Sequence, residues 1–268
     1  MSSVARAAAV AKPPSLPFGH LLPRSGWHVP LLAIATGIVL WELIGRTFQF
    51  VWFPPFSMVA AALWELTAKG LVIANLLASL KSLGIGFLLS VAIGLPIGAL
   101  MGRYRKVEWA LDLHVSWLLI SPSIIFAPIF FTIFGLSDAT RIAVVVLYAW
   151  PIIVYNTFVA FRHVDRELIE MAISFGARES KVFRRVLLPA SLPLTMAGLR
   201  LGMGRAVKGM INGELFVALV GLGALVEKYE GSFDAQYVLA VVLVVMIVAV
   251  FMAEMVQWLD RRLTYWAN

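Results

Sequence analysis

Long apolar runs alternate with short charged stretches along this chain. Six runs reach the roughly 20 residues that a helix needs to cross about 30 Å of hydrocarbon. They cover residues 29–48, 74–101, 108–134, 140–161, 190–218 and 236–259, the second and third being the least regular. Backbone polar groups inside a bilayer must be satisfied within the segment, so such runs are expected to be helices. Between the first two, Pro54-Pro55 breaks the chain, and Ser57 is placed to cap a short helix ending near Leu66. Trp52, Phe53, Phe56 and Trp64 in this stretch suit a membrane–water interface. The expected fold class is all-α, a polytopic membrane protein of about six transmembrane helices. One membrane domain spans 29–262, with an N-terminal tail 1–28 and a C-terminal tail 263–268. The first run is preceded by a weakly basic stretch and lacks a small-residue cleavage site, so it is read as an uncleaved span.

Composition supports lipid as the solvent. Of 268 residues 61% are hydrophobic and only 14% charged, whereas soluble domains carry about 25% charged residues. The net charge of +7 could indicate nucleic acid, and the placement of the basic residues decides against it. With both termini on one side, that side holds fourteen basic residues: Arg6, Lys12 and Arg24; Arg103, Arg105 and Lys106; six between Arg162 and Arg185; and Arg261 and Arg262. The other side holds Arg46, Lys69, Arg141 and Lys228. Lys and Arg accumulate on the cytoplasmic side, so both termini are expected there. With no cysteine, thiolate metal sites and disulfides are excluded. His20, His28, His114 and His163 show no ligand spacing.

The longest cytoplasmic segment, 161–188, is too charged for lipid and has helical periodicity. Leu168, Ile169, Ala172 and Ile173 form one apolar stripe; Val182, Phe183, Val186 and Leu187 form another beyond Gly176. Two short helices meeting at a glycine are expected, the glycine allowing a bend or a close contact. Periodicity alone does not separate this from an ordinary loop.

The spacing goes further. Glu170-Met171-Ala172, three residues, Gly176, nine residues, Val186, one residue and Leu188-Pro189 resembles the EAA loop of binding-protein-dependent ABC importer permeases. Met171 replaces the first Ala of that pattern and Val186 its Ile; both substitutes are apolar. The stretches 53–66 and 79–102, Pro189 to Arg200, Gly213-Glu214 and Gly221-Leu222-Gly223 extend the resemblance across roughly 50–262. It is closest to the nitrate, sulfonate, taurine and bicarbonate group. The resemblance implies a type I importer permease fold in a bacterial inner membrane. It makes Glu170, Met171, Ala172, Gly176, Leu188 and Pro189 the ATPase-coupling residues and places Glu214, Gly221 and Gly223 at a periplasmic gate. The implied partners are a second permease copy or close paralogue, two cytoplasmic ATPases and a periplasmic solute-binding protein. The chain has no G-x-x-x-x-G-K-[ST] loop, so ATP and Mg are expected on the ATPase and no cofactor on this chain.

Within the spans, small residues recur at helix-contact spacing: Gly94 and Gly98, Gly198 and Gly202, Gly209 and Gly213. Pro122, Pro128, Pro151 and Pro193 are expected to kink helices or start them. Arg205 and Lys208 fall near the middle of the fifth span. A central cation costs about 2.5–3.5 kcal/mol on insertion scales. At about 100° per residue, both share a face with Gly202, Gly209 and Asn212, while Glu214 points the other way. Three arrangements satisfy them: pairing with an acid on another helix (Glu42, Asp112 or Glu254), snorkelling, or lining a path for an anion with Asn212. Channels and secondary transporters could use such cations too, but have no need of an ATPase-docking loop. Nothing resembles a catalytic constellation, so the chain is expected to be no enzyme.

Overall fold

A computed structural model describes residues 28–48, 50–217 and 220–265. The basic residues assigned to the N-terminal tail, and the final three of the C-terminal tail, lie outside these described residues. The described residues are helical, without strands: α1 His28–Phe48, α2 Phe56–Ala68, α3 Leu71–Arg103, α4 Arg105–Ile120, α5 Ala127–Phe134, α6 Asp138–Arg162, α7 Arg166–Ser174, α8 Glu179–Val182, α9 Leu188–Val217, α10 Leu222–Gly231 and α11 Ala235–Leu263. Five stretches are long and apolar enough to cross a membrane, or six if one bent pair counts as a span.

That bent pair corrects the expectation of a continuous span over 108–134. α4 and the segment 123–134 meet at 99°. Ser121 is extended at the break (ψ 137°) and precedes Pro122. Proline pushes the residue before it out of the helical region and offers no N–H to continue the ladder, so the chain turns there.

α6 is the centre of the bundle, clasped between α3 and α9. Gly94 of α3 rests on Ile153, and Gly98 on Thr157 and the carbonyl of Val154, where a Cβ would lie 2.5 Å from that oxygen. From the other side Gly198 meets Asn156, Gly202 meets Ile153, Gly209 meets Tyr148 and Gly213 meets Val144. All three sequence-marked pairs therefore sit in helix seams. Lipid gives no hydrophobic drive for helices to associate, and backbone approach through glycine supplies dispersion contacts instead. Val144, Val145, Ile153 and Val154 of α6 are completely buried. α1 is at the other extreme, with only 6% of its apolar window buried, as suits a helix facing lipid.

The α1–α2 turn departs from expectation in one detail. Ser57 is not a helix cap; Pro55 occupies that position without a side-chain bond. Glu42 of α1 does the work from outside: its carboxylate accepts from the Ser57 N–H and Oγ, both at 2.9 Å. Trp41 Nε1 donates to the Pro54 carbonyl at 3.0 Å and fixes the same corner.

The segment 162–188 also differs from two helices hinged at a glycine. α7 ends at the glycine as expected. Beyond it α8 runs without a break through a π turn, Phe183–Leu187, into α9, so one candidate span covers Glu179–Val217. Pro189 therefore lies inside a helix and does not start one. Its missing N–H and its ring disturb the ladder one turn earlier, where the π turn absorbs the mismatch.

Candidate functional site

Three groups of residues singled out in the sequence are placed by this scaffold at different levels of the bundle.

The first is α7. Asp165 caps its start, accepting from the Glu167 N–H at 3.0 Å. At its end the Gly176 N–H donates to the Ile173 carbonyl (2.8 Å) and the Ala177 N–H to the Ala172 carbonyl (3.0 Å). These two bonds form a Schellman motif with Gly176 in the left-handed region at φ +76°. The four-residue step from Ala172 to Gly176 thus has a local physical meaning. A Cβ on Gly176 would meet nothing within 4 Å, so backbone conformation alone calls for glycine. Ile169 is anchored on the buried Phe161, Val164 and Leu187, with Phe183 stacked on Phe161 at 5.9 Å. Leu168, Met171, Ile173 and Phe175 remain exposed, Phe175 by 85%. Glu170 is exposed and Ala172 half-buried; Leu188 is exposed and Pro189 half-buried. Arg103 of α3 donates to Glu179 at 2.6 Å and ties the far limb of the loop to the bundle. α7 is therefore a firmly based, apolar-tipped projection.

The second group is the cation pair on α9. The face assigned from spacing divides in two. Gly202 and Gly209 turn into α6, whereas Arg205 and Lys208 are exposed beside Leu201 and Gly204. A 100° step spreads these positions over about a third of the helix circumference, and the packing boundary runs between them. Among the described residues no ion pair reaches either cation. Glu42 is engaged by Arg46 and Ser57, and neither Asp112 nor Glu254 forms an ion pair. Arg200 by contrast pairs with Asp260 of α11 at 2.7 Å. Asn212 donates through Nδ2 to the Tyr148 hydroxyl oxygen at 2.7 Å.

The third group surrounds Glu214, which is fully buried near the end of α9. Helix starts leave their first N–H groups without intrahelical partners. Here three side chains from neighbouring helices take those of α10. The Gly221 N–H donates to Asn75 Oδ1 (2.9 Å), the Leu222 N–H to Ser79 Oγ (2.9 Å) and the Gly223 N–H to Glu214 Oε2 (3.0 Å). Ser79 Oγ in turn donates to Glu214 Oε2 at 2.9 Å. A carboxylate at a helix N-terminus also meets the positive end of the helix dipole. Arg141, 3% exposed, stands behind it. Its Nη1 lies 3.8 Å from Glu214 Oε1 and donates to the Val220 carbonyl at 3.3 Å. Its Nη2 pairs with Asp138, which also accepts from Lys81 at 3.0 Å.

The sequence marked Glu214, Gly221 and Gly223 but missed Asn75, Ser79, Asp138 and Arg141. Two signals were present: polar Asn75 and Ser79 one turn apart in an apolar run, and an Asp–Arg pair three residues apart at a helix start. Gly221 has φ +107°, and a Cβ there would collide with the Glu214 carboxyl group. Gly221→Ala should therefore displace either Glu214 or the start of α10. A lowered melting temperature of the purified protein and loss of transport are expected; wild-type values for both would refute this cradle.

A family model described as "Binding-protein-dependent transport system inner membrane component" matches residues 94–265. A probable ABC transporter permease protein of Brucella melitensis is 31% identical over 90% of this chain and 98% of its own length. The riboflavin transport system permease protein of Chloroflexus aurantiacus is 31% identical, covering 80% of each chain. The taurine transport system permease protein of Escherichia coli is 28% identical over 79% of this chain and 74% of its own. Among solved structures, the inward-facing MetNI methionine ABC transporter superposes with a TM-score of 0.64. It is 21% identical and covers 74% of this chain and 98% of that one. That likeness establishes the type I importer permease fold.

Proposed function

The chain belongs to the family of binding-protein-dependent transport system inner membrane components, and from that premise we propose that it forms the translocation path of an ATP-driven importer for a small anionic solute. One observation carries the ATP-driven part: α7, closed by its Schellman turn and held by Ile169, presents Met171 and Phe175 to the outside of the chain. An apolar tip on a charged helix suits a groove on a protein partner. α7 stands between two spans, α6 and α9, that can carry its displacement. Hydrolysis of ATP then belongs to the partner, together with ATP and Mg. One chain offers one such projection, so a motor of two ATPases requires two permease copies. A solute-binding protein delivers from the opposite side, where Glu214, Gly221 and Gly223 hold α10 as the gate. The basic residues of the α7 loop favour a cytoplasmic position for it in a bacterial cell, and on this reading both termini lie on the same side of the inner membrane.

The solute's charge is inferred from Arg205 and Lys208. Central cations without an acid partner among the described residues belong against water or a partner subunit and not against lipid. A path that carries anions satisfies them. The names of relatives do not decide this, since both taurine and riboflavin appear among them.

The natural absence of cysteine makes the docking test direct. Met171→Cys, carrying a short photo-crosslinker, should capture the co-purified ATPase, while the same reagent at exposed Trp64 of α2 should not. A complex of two permeases and two ATPases is expected by native mass spectrometry. Crosslinking from Trp64→Cys but not Met171→Cys would refute the docking assignment.

A further inference from the structure

Lys208 and Asn212, one turn apart on α9, open with Tyr148 of α6 onto a cavity of about 610 Å³. This falls in the range of pockets that hold small organic ligands, about 300–1,000 Å³. Val207 and Ile211 of α9 and Val245 and Met246 of α11 line the remainder. Tyr148 and Asn212 are in contact, Lys208 lies one turn from Asn212, and the rest of the wall is apolar.

The hydrogen bond within the polar group fixes its sense. Tyr148 Oη accepts from Asn212 Nδ2, which leaves the phenolic proton free to donate elsewhere. The Lys208 ammonium supplies further donors and a full positive charge. A phenolic donor and an ammonium lining the same cavity suit an oxyanion, and charge-assisted bonds of this kind are the strong ones. An inorganic oxyanion would use only this corner and leave the apolar wall wet. A ligand with one anionic head and an apolar body uses both.

We propose that this cavity is a solute station within the path, selective for organic anions with an apolar body, Lys208 and Tyr148 holding the head. The proposal rests on the anion-path reading and narrows it from anions in general to amphipathic ones. Tyr148 lies near the middle of α6 and Lys208 six residues before Glu214, so the station is about 9 Å along α9 from the Glu214 cradle. An anionic lipid has the same chemistry, an anionic head on an apolar body, and the test separates the two sources.

The permease, purified with its ATPase and held in phosphatidylcholine nanodiscs without binding protein, is titrated calorimetrically with four probes: 1-butanesulfonate, nitrate, 1-butanol and butyltrimethylammonium. Butanesulfonate should bind measurably and the other three should not. Lys208→Met and Tyr148→Phe should each weaken butanesulfonate by about tenfold or more, the scale of one charge-assisted hydrogen bond. Equal binding of nitrate and butanesulfonate would overturn the amphipathic selectivity and leave the anion path standing. Equal binding of the quaternary ammonium probe would overturn both. Unchanged butanesulfonate affinity in both variants would remove the site. Adding phosphatidylglycerol to the nanodiscs should leave butanesulfonate affinity unchanged; competitive loss would assign the cavity to lipid and overturn the solute station. The melting curve of Lys208→Met should match wild type, because among the described residues Lys208 has no ion pair to lose, and that of Tyr148→Phe should fall only by the loss of the Asn212 hydrogen bond. A folded Tyr148→Phe that binds as wild type would by itself exclude the tyrosine.

Discussion

Arg141→Met unfolds the purified permease at a markedly lower temperature and leaves little transport: this is the expected result of removing the guanidinium that stands behind the Glu214 cradle. Arg141 is 3% exposed and Glu214 is fully buried, so neither can turn to water once its partner is gone. Breaking a buried ion pair from one side costs about 3–5 kcal/mol, mostly because the surviving charge is stranded. Here the loss is compounded, since the same guanidinium donates to the Val220 carbonyl and pairs with Asp138. The double variant Arg141→Met/Glu214→Gln discriminates charge from shape. Glutamine keeps an oxygen for the Gly223 N–H and for Ser79 while removing the stranded charge. It should recover most of the lost melting temperature, whereas Glu214→Leu, which leaves the Gly223 N–H and the Ser79 hydroxyl without their acceptor, should not. An Arg141→Met protein that melts with the wild type would show that the charges are not coupled.

Gly176→Val is expected to cut solute-stimulated ATP hydrolysis by the assembled complex to its basal rate, while the permease still inserts and assembles. Gly176 sits at φ +76° in open space, so the penalty comes from the backbone. The left-handed region costs an ordinary residue about 1–2 kcal/mol, and a β-branched one is an outlier there. Relaxing that strain unwinds the Schellman turn, releases the carbonyls of Ala172 and Ile173 and swings α7 off its Ile169 anchor. Gly176→Asn is the control, because asparagine tolerates this conformation. It should retain most of the stimulation. Equal loss in the two variants would mean that the site rejects any side chain and that a partner surface, not the turn, needs glycine.

Local patterns carried much of this fold into the sequence. Five spans announced themselves as uninterrupted apolar length, and the paired glycines of α3 and α9 marked the seams on α6. The spacing Ala172 to Gly176 marked a helix end. What stayed hidden depends on partners distant in the chain or on competition between neighbouring turns. Glu42 satisfies the start of α2 from fifteen residues away, and no capping pattern within α2 betrays it. Arg141 and Glu214 meet only because α6 and α9 pack through glycine; each alone reads as an ordinary charge near a span end. The third span counted as one run because hydropathy is blind to direction, and Ser121-Pro122 turns the chain without lowering it. Arg205 and Lys208 were grouped with the packing glycines because a helical projection gives angles and not the edge of the contact.

The uninterrupted helix from Glu179 to Val217 has a mechanical corollary. Thirty-nine residues at 1.5 Å each make a rod of about 58 Å. Its lower limb is tied by Arg103 beside α7, and its upper limb carries Glu214. A tilt of about 5° about the lower end sweeps the upper end through roughly 5 Å by the geometry of a rod that long. The bonds by which Glu214 and Ser79 hold α10 are 2.9–3.0 Å long and do not survive such a sweep. A helix of this length would work as a lever: a small rotation at the α7 end, if transmitted rigidly, is enough to part the bonds at the Glu214 end.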